Sequence, residues 1–207
     1  HRVALTRPEG PQASPAVSLS MGDRTPVTIE FHDRLRPDAG STVAALEALG
    51  LPGSILSGDS VEAVRPVAAQ LHLTAQAGAR PDDKCAALER LRQGGNHVLM
   101  VGDGLNDGPA LASAHVSMAP GSASDVGQNA ADLVFLGDGL APIPFAVRAA
   151  RRTMAIVRQN FGLAIAYNAL AVPLAIAGFV TPLVAAVAMS LSSLIVIANS
   201  LRLRRVK

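Results

Sequence analysis

Cysteine is almost absent from this sequence, with Cys85 alone among 207 residues. A single thiol excludes an intrachain disulfide and any multi-cysteine metal site within these residues. Cys85 itself reads as a small helix residue. Aromatics are also scarce, at 3% with no tryptophan, although 49% of the residues are apolar. The apolar content is therefore mainly Ala, Val, Leu and Ile, which suits buried strands, packed helices or lipid. Acidic residues stop at Asp138. The stretch 139–207 has no Asp or Glu but carries Arg148, Arg151, Arg152, Arg158, Arg202, Arg204, Arg205 and Lys207. The first 138 residues hold all 16 acidic residues against 10 basic ones, a net of −6. That asymmetry describes an acidic soluble part joined to a basic tail, and the overall +2 is no nucleic-acid signal. The start, HRVALTRPEGPQ, lacks both a methionine and a charged-then-apolar leader pattern, and reads as truncated. Residues 1–15, polar and rich in Pro and Gly, are expected to be a frayed end or the remnant of a missing region.

Beyond that start, 16–21 and 26–31 alternate as strands do, with Gly22-Asp23 between them. Helices are then expected at 37–49, stopped by Gly50, and at 60–71 and 82–92. Short strands are expected at 54–56, 73–76, 97–101, 116–118 and 133–136. Strands separated by helices predict an α/β fold with a parallel sheet covered on both faces. Ligands of such sheets bind beyond the carboxyl ends of the strands. Ser57-Gly58-Asp59 and Gly102-Asp103-Gly104 both fall at such ends.

The last third has another character. Residues 161–180 and 183–201 are uncharged runs of about twenty residues, the length that spans a bilayer core as a helix. Only Thr181-Pro182 separates them, which predicts a tight hairpin. Arginines flank both outer ends and place them on the cytoplasmic side by the positive-inside rule.

The segment MVGDGLNDGPAL sets two carboxylates, Asp103 and Asp107, in a loop of glycine and proline. A glycine loop that cradles phosphate through N–H groups would repel its ligand if two acids were added, unless a cation lies between. Mg²⁺ fits, since it favours one or two carboxylates with water and phosphate oxygens. Ser57 and Gly58 offer a hydroxyl and backbone donors for phosphoryl oxygens, and Lys84 offers a fixed positive charge. A nucleophile for phosphoryl transfer is not evident.

The ordered segments FHDRLRPDA, ILSGD, ARPDDK, MVGDGLNDGPALASAHVSMAPGSASDV and ADLVF, followed by RQNFGLAIAYN and MSLSSLIVIANSLRL, resemble the C-terminal end of heavy-metal-transporting P-type ATPases. The resemblance runs from about Ala16 to Arg205. It implies a haloacid-dehalogenase-like, Rossmann-type phosphorylation domain over 16–147 and two transmembrane helices over 148–207. Residues 1–15 would then be what remains of the nucleotide-binding region. Asp103 and Asp107 would hold Mg²⁺, with Asn106 completing the loop's contacts. Ser57, Gly58 and Asp59 would form the phosphoryl-contacting loop, and Lys84 would neutralise the group. Asp33 and Arg36 match the segment joining the nucleotide-binding and phosphorylation domains, so ATP is an implied ligand. The family's phosphorylated Asp, in an Asp-Lys-Thr-Gly motif, is absent from these residues. So are the actuator domain, most of the nucleotide-binding domain, the earlier membrane helices and their Cys-Pro-Cys-type motif. Gly108 stands where the family usually has Ala.

Tyr167-Asn168 in the first span and Met189, Ser192 and Ser193 in the second place polar or sulfur groups at membrane depth, where they serve as interhelical glue or as function. A thioether favours Cu(I) over hard ions. In the resembled family this pattern marks the copper(I)-exporting branch, which implies copper as cargo, a lipid bilayer as partner and a bacterial inner membrane as location. The wording of the spans also resembles members that supply copper for cytochrome oxidase assembly. Two other readings stand beside it. One is a membrane-anchored phosphatase of the same fold with Asp33 as nucleophile, although Arg34-Leu35 follows it. The other is a non-catalytic pump remnant acting as an interaction module.

Overall fold

The computed structural model describes residues 3–6, 16–22, 25–30, 34–104, 106–137 and 139–205. The chain forms two compact units, residues 1–141 and 142–207.

The first unit opens with an antiparallel sheet in which β2 (Ala16–Met21) pairs with β3 (Val27–Glu30). Gly22, at φ +56°, starts the turn between them. The expectation of a frayed start is corrected by β1 (Val3–Thr6). All four of its residues pair with β2, from Val3 opposite Met21 to Thr6 opposite Ser18. The free edge of β2 supplies the unpaired N–H and C=O groups that recruit it, a partner no local pattern reveals. The remainder of 1–15 lies outside the described residues.

Helices and strands then alternate: α1 (Ala39–Ala48), β4 (Ser54–Leu56), α2 (Val61–Leu71), β5 (Thr74–Gln76), α3 (Pro81–Gln93), β6 (Leu99–Val101), α4 (Gly108–Ser113), β7 (Val116–Pro120), α5 (Asp125–Ala130) and β8 (Leu133–Phe135). Local chemistry sets several of these limits. Gly50, at φ +73°, follows the end of α1. The Ser60 hydroxyl caps α2 by accepting the Ala63 N–H. At the start of α3, Pro81 takes a position that needs no N–H donor, and the Asp83 carboxylate accepts the Arg80 N–H at 3.0 Å.

The strands pair in parallel, as expected. β4 pairs with β5, while β6, β7 and β8 form a separate sheet in that order. Among the described residues no ladder joins β4 to β6, so α3 carries the chain out of one sheet and into the other. Strand periodicity specifies a strand but not its neighbour.

β7 is central and is buried from Ser117 to Pro120. Ser117, only 1% exposed, would be an expensive polar group there without partners. Asp132 supplies them: its Oδ2 accepts the Ser117 N–H at 2.8 Å and hydroxyl at 3.0 Å, and its own N–H donates to Ser117 Oγ at 3.1 Å. Around this pair the core is built from Ala110, Leu111, Met118, Ala119 and Phe135.

The second unit is a helical hairpin of α6 (Pro142–Ile176) and α7 (Pro182–Ser200), ending in a 3-10 turn, Leu201–Arg205. It begins a few residues before the expected boundary because the basic stem and the apolar span form one unbroken helix. Both helices are long and apolar enough to cross a membrane, and the most apolar stretch of each is wholly unburied. Their connection is longer than the expected Thr181-Pro182 pair. Gly178, at φ +80°, ends α6 early, and the N–H groups of Ala177, Gly178 and Phe179 turn back onto the carbonyls of Pro173, Ala175 and Leu174. At the opposite, basic end, Asn160 Nδ2 donates to Ser200 Oγ at 3.1 Å and Asn199 Nδ2 to Asn160 Oδ1 at 2.9 Å. Gln159 Oε1 and the Arg202 guanidinium complete this clasp through Asn199.

Candidate functional site

The loop after β4 is held in a fixed shape. Ser57 donates its N–H to the Gln76 carbonyl and accepts the Ala79 N–H at 2.9 Å through its own carbonyl. Its hydroxyl donates to Asp59 Oδ2 at 2.9 Å and accepts the Asp59 N–H at 3.1 Å. Gly58 passes close to the Ala79 carbonyl, 3.4 Å from where a Cβ would stand. These bonds place the Ser57 loop beside Ala79-Arg80, the entry to α3. Lys84, one turn into that helix, is 6% exposed.

A buried ammonium needs a partner. Lys84 has one in Asp107, whose Oδ1 accepts its Nζ in a short ion pair. The sequence gives Lys84 the phosphoryl group and Asp107 the contacts with metal and phosphate, and the structure adds an ion pair between the two side chains. Asp107 sits at the N-cap of α4 without capping it, because its carboxylate is turned to Lys84 and to Gly102. A Cβ on Gly102 would lie 2.8 Å from Asp107 Oδ2.

The other side of the loop rests on α5. Gly104 adopts φ +87°, and a Cβ there would lie 1.9 Å from Gly127 Cα. Ser124 N–H donates to the Asp103 carbonyl at 3.1 Å, while Ser124 Oγ accepts the Gly127 N–H at 3.2 Å. Ser124 and Gly127 therefore shape the Asp103 backbone, and sequence reasoning missed both. The available signal was Ser124 immediately ahead of Asp125-Val126, a helix start.

The Asp103 and Asn106 side chains are exposed. Asp103 thus keeps an exposed carboxylate, whereas Asp107, four residues on, is paired with Lys84. Among the described residues no three His, Cys, Asp or Glu side chains cluster. Hard oxygen donors in such small number suit a small divalent cation that completes its shell with water and ligand oxygens, as Mg²⁺ does. Arg36 is half-buried ahead of α1, its carbonyl accepting the Ala39 N–H at 3.0 Å, while Asp33 lies outside the described residues.

In the hairpin, Tyr167 and Ser192 are half-buried, and Asn168, Met189 and Ser193 are exposed. The Ser193 hydroxyl donates to the Met189 carbonyl at 3.1 Å. From the Asn160–Ser200 contact, Tyr167 lies seven residues along α6 and Ser193 seven residues back along α7. At the helical rise both stand about 10 Å from the clasp, at one depth. No hydrogen bond joins the two sets among the described residues.

A family model for haloacid dehalogenase-like hydrolases matches residues 12–115, half of the chain. The chain belongs to this family. Its relatives include P-type ATPases. The copper-exporting P-type ATPase of Mycobacterium tuberculosis is 44% identical over 178 residues, 86% of this chain and 23% of that protein. The nitrogen fixation protein FixI of Rhizobium leguminosarum bv. viciae is 54% identical over 174 residues, 84% of this chain and 23% of its own length. The solved structure of a zinc-transporting PIB-type ATPase superposes with a TM-score of 0.80 at 34% identity, over 92% of this chain and 31% of that one. The chain thus spans about a quarter of the length of the curated relatives it matches.

Proposed function

We propose that the chain is the C-terminal part of an ATP-driven copper(I) export pump. Such a pump couples formation and hydrolysis of an aspartyl-phosphate, on an aspartate outside these residues, to metal movement across a bacterial inner membrane. The observation that carries the reading is the Lys84–Asp107 ion pair, four residues along the chain from the exposed Asp103. Ser57 would turn its hydroxyl from Asp59 to a phosphoryl oxygen, Gly58 would add its backbone N–H, and Lys84 would balance the charge arriving there. Asp103 and Asp107 would hold Mg²⁺, which supplies charge neutralisation at a transferring phosphoryl group. Asp33 and Arg36 belong to the approach from the nucleotide-binding part. In the membrane, the soft Met189 thioether, with Tyr167, Asn168, Ser192 and Ser193 near its depth, favours Cu(I). Zinc and cadmium exporters of the resembled family are expected to carry charged residues in these helices, and neither apolar run has an Asp, Glu, Lys or Arg, which supports copper(I) as the cargo.

The test is acid-stable phosphoenzyme formation from ATP by the full-length protein that carries these residues. Copper(I) is expected to stimulate it, zinc is not, and the 207-residue chain alone should form none. Stimulation by zinc alone would overturn the cargo. Phosphorylation of the isolated chain, abolished by Asp33→Asn, would establish the phosphatase reading in its place.

A further inference from the structure

Asp38 occupies the N-cap of α1, a position where an Asp side chain usually turns back onto its own helix. Here it forms no side-chain cap bond. Its backbone carbonyl accepts the Thr42 N–H at 2.9 Å, the ordinary first bond of the helix. The carboxylate reaches across the sequence, with Oδ2 accepting the N–H of Leu140 at 2.5 Å and of Ala141 at 3.0 Å. Gly139 makes room for it, because a Cβ there would lie 2.8 Å from Oδ2. The second oxygen, Oδ1, is buried and has no hydrogen-bond partner among the described residues. A local cap would have avoided that desolvation, so the side chain is committed to the distant segment at some cost.

Both tethered amides immediately precede Pro142, where α6 begins. On its other side Asp38 follows Arg36-Pro37, whose Arg36 carbonyl accepts the first N–H of α1. We propose that Asp38 is a positioning residue for coupling: it fastens the segment that leads into α6 to α1 and to the Arg36 segment, so that movement of one is delivered to the other. The inference rests on the pump reading above and adds to it a residue outside the phosphate and metal loops. A carboxylate shared between two backbone N–H groups suits the task, since charge-assisted hydrogen bonds resist displacement better than neutral ones.

The full-length protein carries the test, with Asp38→Ala, Asp38→Asn and Gly139→Ala. Hydrogen exchange reads the Leu140 and Ala141 amides, and metal ions moved per ATP hydrolysed in sealed vesicles read coupling. Asp38→Ala is expected to form phosphoenzyme at the unaltered level, to exchange both amides at least about tenfold faster, and to move less metal per ATP. Asp38→Asn keeps an acceptor oxygen and should retain coupling. Gly139→Ala, which crowds the carboxylate from the other side, should reproduce Asp38→Ala and carries the test alone if that variant does not fold. Released amides with an unchanged ratio would overturn the coupling role. Unchanged exchange in both Asp38→Ala and Gly139→Ala would overturn the tether. Failure of the unaltered protein to form phosphoenzyme would strike the pump reading and the coupling role with it, while exchange still decides the tether.

Discussion

The Asp103–Asp107 loop and the α6–α7 hairpin face the same problem, polar groups withdrawn from water, and answer it with different chemistry. The loop uses charge: Lys84 and Asp107 neutralise one another, and two glycines let backbone press on backbone. The hairpin uses neutral groups: Asn160, Asn199 and Ser200 hydrogen-bond across the helices, and Ser190, Ser193 and Ser200 hydroxyls return to carbonyls of their own helix. The difference follows from the solvent. A surface cleft can hold a paired charge and still present an open carboxylate to a ligand, whereas a lipid-facing helix tolerates few ionised groups. Rigidity therefore comes from close packing and ion pairing in the loop, and from amide hydrogen bonds in the hairpin.

Substitutions that break the charged lock should exceed those that break the neutral one. Gly104→Ala is the severest, since it sets a Cβ into Gly127 and forces Ala to a positive φ. It is expected to destabilise the first unit by about 3 kcal/mol in urea unfolding. Lys84→Met leaves the Asp107 carboxylate unpaired, and about 2 kcal/mol should be lost because that carboxylate keeps some contact with water. Adding Asp107→Asn to Lys84→Met should recover part of that loss, and a strictly additive double variant would show that the pair is not the lock. Asn199→Leu removes the centre of the hairpin clasp. A loss of about 1 kcal/mol in detergent unfolding is expected, the scale of interhelical hydrogen bonds in membranes. A larger loss than that of Lys84→Met would invert the comparison.

The smallest effect belongs to the exposed pair Glu89–Arg92 on α3. Arg92 hydrogen-bonds Glu89 and holds its carboxyl below the ordinary carboxylate range. A depressed carboxyl stabilises the fold above its unfolded value and loses that contribution as pH falls through the folded one. The pair lies at the surface and is screened by salt, so Arg92→Ala should leave the unfolding midpoint unchanged at neutral pH. A clear shift would mean that surface charge does more in this unit than the buried lock implies.

Most elements were legible because their signals are local. Gly50 after α1, Ser60 before α2 and Pro81 at the head of α3 act within a turn of chain, and the uncharged runs declare two membrane-length helices by themselves. The failures share one cause. β1 was missed because its partner lies in β2, ten residues beyond its end. The pairing order, β4 with β5 and β6-β7-β8, was not legible because strand spacing does not name a strand's neighbour. Ser124 and Gly127 escaped attention because their importance lies in the loop they touch.

From the sequence alone came the element types, the division between an acidic part and an apolar, basic-flanked hairpin, and the carriers of phosphate and metal chemistry as residue types. Tertiary structure decided which of them meet: Lys84 with Asp107, Gly104 with Gly127, Asp38 with Leu140 and Ala141. The reason is physical. Propensity and periodicity act over a few residues of backbone, whereas the pairing of a buried charge depends on the path of the whole chain, which brings partners 23 or 102 positions apart into contact.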